Sequence, residues 1–389
     1  MKKHPTLYLF VVACIIMFVF GMIMVILGTY LPYLIEKFSL TKFQAGKLSA
    51  LLPFGMLIGS LIFGPISDRY GYKVLLLLCV LLIFISLNII NFSNDISWVF
   101  FAVFIVGFGG GAINGISNAI VSDISGENKV RRLSFLGVFF GLGALTLPLM
   151  ESIILDYFPG VKLLIYIQVL LFFIFLSVVL IYFPPPKIPM GLKKEDINKL
   201  VSNKVLLLGS LILFMASSIE GLINNWLTSY LLVYKNMELS ESLKYLTILL
   251  ISMMLTRVVI GLINTNFNIL KVLLFLYSFI IIGLLLLLNT ELHLKYTFSV
   301  IFIGIGLSGT FPIILGFVGK IFQDLSATAF SIALVFALGG NMIVNYLFGY
   351  LSEMYSVMIY PFILLLLTVF MTILTRIFIA NIYNVKSKK

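Results

Sequence analysis

Three pairs of polar side chains interrupt stretches that are otherwise apolar. Asn114 and Asn118 lie in "GGGAINGISNAIV", Glu220 and Asn224 in "SSIEGLINNW", and Asn341 and Asn345 in "GGNMIVNYL". The members of each pair are four residues apart, so they share one face of a helix. Carboxamides donate to and accept from neighbouring hydroxyls in a fork, which is the chemistry that holds a sugar or polyol. Asn225 follows Asn224 directly, and Trp226 and Tyr30 offer flat apolar faces for a sugar ring. Glu220 stands near the middle of its apolar stretch, where a charged carboxylate costs a few kcal/mol. Low dielectric favours the neutral form, which makes Glu220 the candidate proton carrier. The alternative is a permanently neutral carboxyl that only hydrogen-bonds substrate hydroxyls. A lone asparagine in lipid is explained by a helix–helix hydrogen bond worth ~0.6–2 kcal/mol; pairing on one face favours ligand contact instead.

The elements that hold these side chains must cross a bilayer. Of 389 residues, 61% are hydrophobic and only 11% charged, more apolar surface than a water-soluble chain of this length could hide. A spanning helix needs about 20 mostly apolar residues. The apolar runs predict twelve such helices, at about 7–35, 43–65, 74–92, 96–123, 133–156, 162–183, 205–234, 243–264, 271–289, 296–321, 327–351 and 356–380, with limits good to ~2–4 residues. The longest polar stretch, 184–204, separates an N-terminal six-helix half (1–183) from a C-terminal one (205–389) and reads as a central cytoplasmic loop. With both termini in the cytoplasm, only Lys37, Lys42, Lys47, Lys162, Lys235, Lys244 and Lys295 of the 26 basic residues fall outside, the asymmetry that positive-inside topology demands. The net charge of +11 is then a property of inner loops rather than of a nucleic-acid surface. The halves carry a faint parallel repeat: "IVGFGGGAINGISNAIVSD" (105–123) against "FIGIGLSGTFPIILGFVGK" (302–320), and "GSLIFGPISDR" (59–69) against "TRVVIGLINTN" (256–266). Repeated six-helix halves are a transporter architecture with the substrate near the midplane. No phosphate-binding glycine loop, metal-ligand cluster or nucleophile–base pair occurs in the sequence, so neither an enzyme nor a cofactor is expected. Cys14 and Cys79 read as small core residues, and His4 and His293 as idle at membrane edges.

After the second apolar run stands "GPISDRYGYK", residues 64–73. It resembles the loop motif of the major facilitator superfamily, G-x-L-x-D-R-x-G-R-K. Gly64, Asp68, Arg69, Gly71 and Lys73 match, whereas Ile66 replaces Leu and Tyr72 replaces Arg. The resemblance implies the major facilitator fold, twelve transmembrane helices in two six-helix halves, and a cytoplasmic gate formed by this motif. Gly64 would allow close helix approach, Asp68 would accept from helix amides or an arginine, and Gly71 would permit the turn. The alternative is a solvated loop that only sets topology. Arg257 reads either as a gating counterpart in the second half or as a snorkelling side chain.

Further stretches narrow the resemblance. Residues 20–46, 107–120, 139–150 and 304–319 resemble the first, fourth, fifth and tenth helices of fucose permease-like sugar symporters and of the bacterial glucose/mannose:proton symporters among them. In such folds the first, fourth, seventh and tenth helices line the cavity, which ranks Asn341 and Asn345, on the eleventh, below the other pairs. One departure matters: where that group carries proton-linked acids, this chain has Gly28 and Asn114, so the group's proton mechanism does not carry over residue by residue. Gly107, Gly111 and Gly115 form a small-residue ridge, sufficiently explained by helix packing. Glu151, in the outer third of its helix, is the lesser acid. The sequence thus leads to an all-α integral membrane protein of a bacterial-type plasma membrane. It would carry a small sugar-like solute with protons, as a monomer among membrane lipids, without nucleic-acid partners. Export of drugs or lipid-linked compounds, and a transporter-like sensor, are the alternatives.

Overall fold

The structure is a computed structural model that describes residues 6–124, 129–157, 164–183, 203–262, 269–288, 293–322 and 326–386. It is all-helical among them: α1 (Thr6–Met24), α2 (Ile26–Phe38), α3 (Lys42–Tyr70), α4 (Tyr72–Phe92), α5 (Ile96–Ile124), α6 (Lys129–Tyr157), α7 (Leu164–Leu180), α8 (Lys204–Tyr234), α9 (Leu239–Leu262), α10 (Ile269–Leu288), α11 (His293–Leu307), α12 (Thr310–Ile321), α13 (Ser326–Tyr355) and α14 (Tyr360–Lys386). Among the described residues ten stretches are long and apolar enough to cross a membrane, and two shorter apolar helices, Leu164–Leu180 and Val272–Leu288, stand at the remaining two of the twelve expected spans. Their outer faces carry large bare hydrophobics such as Leu61, Phe101, Phe173, Leu285 and Phe370, which suits a lipid solvent. The chain divides into two compact units, residues 1–40 with 47–190, and 41–46 with 191–389. The expected central loop lies outside the described residues from 184 to 202.

Two expected spans are each a pair of helices. The first breaks at Val25, whose N–H reaches back only to Met22 O at 3.3 Å, a three-residue turn. The tenth breaks at Ser308–Gly309 between α11 and α12. Here the cause is legible: Pro312 has no N–H to offer the carbonyl four residues earlier, which is that of Ser308. The second span is also longer than expected. Residues 64–69 of the motif continue α3 rather than forming a loop, and the helix ends only at Gly71, whose φ of 81° is left-handed and whose N–H closes on Ser67 O at 2.8 Å.

In the first unit, helices meet at glycines. A Cβ on Gly55 or Gly59 would strike the backbone of Phe104 or Phe108, and one on Gly107 or Gly111 the backbone of Leu52 or Met56. The ridge on α5 is therefore the seam with α3. In the second unit, α8 packs along α13 and α14. Asn203 caps α8, its side chain accepting from the N–H groups of Val205 (2.9 Å) and Leu206 (3.3 Å), as an N-cap asparagine does.

Candidate functional site

The polar pairs have different fates. On α5, Asn118 Nδ2 donates to the Asn114 carbonyl (2.9 Å) and to Asn114 Oδ1 (3.0 Å). Asn118 is exposed and Asn114 half-buried. This leaves Asn118 Oδ1 and the Asn114 amide hydrogens to a ligand, side by side on one face.

On α8, Glu220 is paired. Arg257 Nη2 of α9 lies 3.7 Å from Glu220 Oε1, with the two side chains 29% and 19% accessible. The same guanidinium donates through Nε to the Ser308 carbonyl at 3.3 Å, the acceptor that Pro312 leaves unbonded. Arg257 therefore turns into its unit instead of snorkelling outward. It joins the break in the tenth span to the acid in the seventh. Asn224, one turn beyond Glu220, is 6% exposed, and its Oδ1 meets no hydrogen-bond partner.

The third pair is spent on packing. Asn345 Oδ1 accepts from Asn225 Nδ2 and Trp226 Nε1, both at 3.1 Å. Asn345 Nδ2 donates to the Asn341 carbonyl (2.8 Å) and Oδ1 (2.7 Å). Trp226 is 1% exposed and its ring meets Phe348 edge-on at 4.8 Å. Asn341 sits over Gly221, where a Cβ would strike its carboxamide. Trp226, Asn225, Asn341 and Asn345 therefore form an α8–α13 tie, and the indole presents no face for a sugar. Tyr30 is likewise buried at 5% exposure, with its hydroxyl 3.4 Å from Asn91 Oδ1.

Of the motif, the side chains of Gly64, Asp68 and Arg69 lie outside the described residues. Lys73 has a definite place: its Nζ donates to the carbonyls of Val179 (2.8 Å) and Ile181 (2.9 Å). A cation at the C-terminus of α7 satisfies orphan carbonyls and suits the helix dipole. Three features escaped sequence reading: the Glu220–Arg257 pair, the Ser308 carbonyl and the Lys73 cap. The signal for the second was Pro312, four residues after Ser308.

Comparison with known proteins agrees with this architecture. The glucose/mannose transporter GlcP of Bacillus subtilis is 26% identical over 352 residues, covering 86% of this chain and 85% of that one. The crystal structure of a point mutant of the nucleoside transporter NupG superposes with a TM-score of 0.80 at 16% identity, covering 96% of this chain and 99% of that one. A D-xylose–proton symporter superposes at 0.77 and 15% identity, with coverage of 94% and 97%. The family model of the Major Facilitator Superfamily matches residues 13–342. With its paired helical units and membrane-spanning stretches, the chain is a multi-pass membrane transporter and belongs to the Major Facilitator Superfamily.

Proposed function

We propose that this protein takes up a monosaccharide or related polyol across a bacterial-type plasma membrane, together with protons, by alternating access of its two six-helix halves. Both termini would lie in the cytoplasm and the chain would act as a monomer. The observation that carries the reading is the half-accessible polar chemistry within otherwise apolar helices: the Asn114/Asn118 fork in one unit, and Glu220 with its counter-ion Arg257 in the other. Carboxamides and an ion pair are suited to hydroxyl-rich solutes, since they supply both donors and acceptors. Asn224 Oδ1, buried and unpartnered, adds an acceptor to the same helix. The similarity to a glucose/mannose transporter supports the substrate class. The span-two motif, Gly64 to Lys73, is the proposed cytoplasmic gate.

In this reading Glu220 is a substrate acceptor held by Arg257. Because Arg257 also holds the Ser308 carbonyl, a substrate that draws on Glu220 would loosen the tie at the α11–α12 break, a route from binding to helix movement.

The test is uptake into proteoliposomes of D-glucose, D-mannose, D-xylose and L-fucose, with and without an inward pH gradient. Accumulation of at least one sugar under the gradient is expected. Glu220→Gln and Asn118→Ala should each raise KM about tenfold or more, corresponding to ~1.4 kcal/mol or more of lost binding. Dye or drug export without sugar uptake would refute the substrate class.

A further inference from the structure

The first unit contains an acid that the substrate site does not use. Glu151 of α6 is 7% exposed, and its Oε2 has no hydrogen-bond partner. The carboxyl lies against Thr29 of α2 and beside Tyr30, just beyond the helix break at Val25. Tyr30 in turn reaches Asn91 of α4 and the Leu164 N–H at the start of α7. Gln168 stands one turn along α7 on the same face; it is 6% exposed, with its Nε2 unpartnered. Four helices thus bring polar groups to one buried place.

Among the described residues no counter-ion reaches that place. The sequences of α1 and α7 contain no charged residue, α5 contains only Asp123, at the end away from Asn91, and the Lys73 of α4 is engaged at the far end of α7. On α2, Lys37 donates to the Ser93 carbonyl at 2.7 Å. On α6, Arg132 donates to the Ile124 carbonyl at the opposite end of the helix. The titratable neighbours are Tyr30 and, behind it, Tyr33, both on α2. The side chains of Asp156 and Lys162 lie outside the described residues. A buried carboxylate without a partner costs several kcal/mol.

Burial without a counter-ion decides which form fits: a neutral carboxyl needs no cation beside it, whereas a carboxylate does. Thr29 Oγ1, which also reaches the Ile26 carbonyl at 3.0 Å, is a hydroxyl that can bond either form. We propose that Glu151, not Glu220, is the proton-binding site of this transporter. The proton is taken from water on one side of the membrane onto a Glu151 oxygen. It is returned to water on the other side when movement of α2 against α6 opens the carboxyl to solvent. Glu220, with Arg257 as its counter-ion, keeps its substrate role. The inference rests on the transport reading for its purpose, but not for its test.

The test is infrared difference spectroscopy of the full chain in lipid nanodiscs, between acidic and alkaline buffer, in H₂O and D₂O. It requires no substrate, so its failure is separable from failure of the sugar reading. Wild-type protein should show the C=O stretch of a protonated carboxylic acid that titrates and shifts in D₂O. Glu151→Gln should lose that band, Glu151→Asp should shift it, and Glu220→Gln should retain it. Glutamine matches the neutral acid in size and carries no charge, so the variant folds; helical circular dichroism and monodisperse elution check this. An unchanged band in Glu151→Gln, or loss of the band in Glu220→Gln alone, overturns the proposal. In proteoliposomes Glu151→Gln should also abolish the response of D-glucose uptake to a pH gradient. A wild-type response to a sodium gradient in its place overturns the proton assignment.

Discussion

Replacing Asn345 by alanine distinguishes a helix tie from a ligand contact. Asn345 Oδ1 accepts two bonds across the α8–α13 interface, from Asn225 and Trp226; its bonds to Asn341 stay within α13. Interhelical hydrogen bonds in membrane proteins are worth ~0.6–1.7 kcal/mol each, so loss of two predicts about 1–3 kcal/mol of destabilisation. The apparent Tm in detergent should fall by several degrees, at a few degrees per kcal/mol. Trp98 and Trp226 are the only tryptophans. A Trp98→Phe background therefore makes Trp226 the sole tryptophan reporter. Its emission should report the loosened interface at the same temperature as helix loss. A Trp226→Phe/Asn345→Ala cycle should return a coupling of ~1 kcal/mol. An unchanged Tm with sugar binding abolished would refute the tie and restore Asn345 to the binding site.

Two further outcomes follow from the packing. Lys73→Met removes the cation that closes α7, costing ~0.3–1 kcal/mol; faster amide hydrogen exchange around 179–181, with little change elsewhere, is the expected result. Gly111→Val places a side chain into the Met56 backbone, and overpacking of this kind costs ~1–3 kcal/mol or more; a lower Tm and reduced yield of folded protein check it, and an unaltered Tm would show that α3 and α5 are not in close contact.

The bilayer makes much of this fold legible in the chain. Each spanning segment must satisfy its own backbone within lipid, so apolar runs alone give helices such as Lys204–Tyr234 and Ile96–Ile124 nearly to the residue. The motif at 64–73 identified the superfamily because its residue types and position recur together, although its first residues proved helical. The polar pairs at 114/118, 220/224 and 341/345 were also visible as sequence. Their roles were not. Spacing says which side chains share a helix face; it does not say which neighbouring helix that face meets. Only tertiary packing set Arg257 beside Glu220, spent Trp226 and Asn345 on each other, and left Glu151 buried with an unpartnered oxygen. Hydrogen bonds act over about 3 Å and in one direction, so they are decided by the meeting of helices distant in sequence.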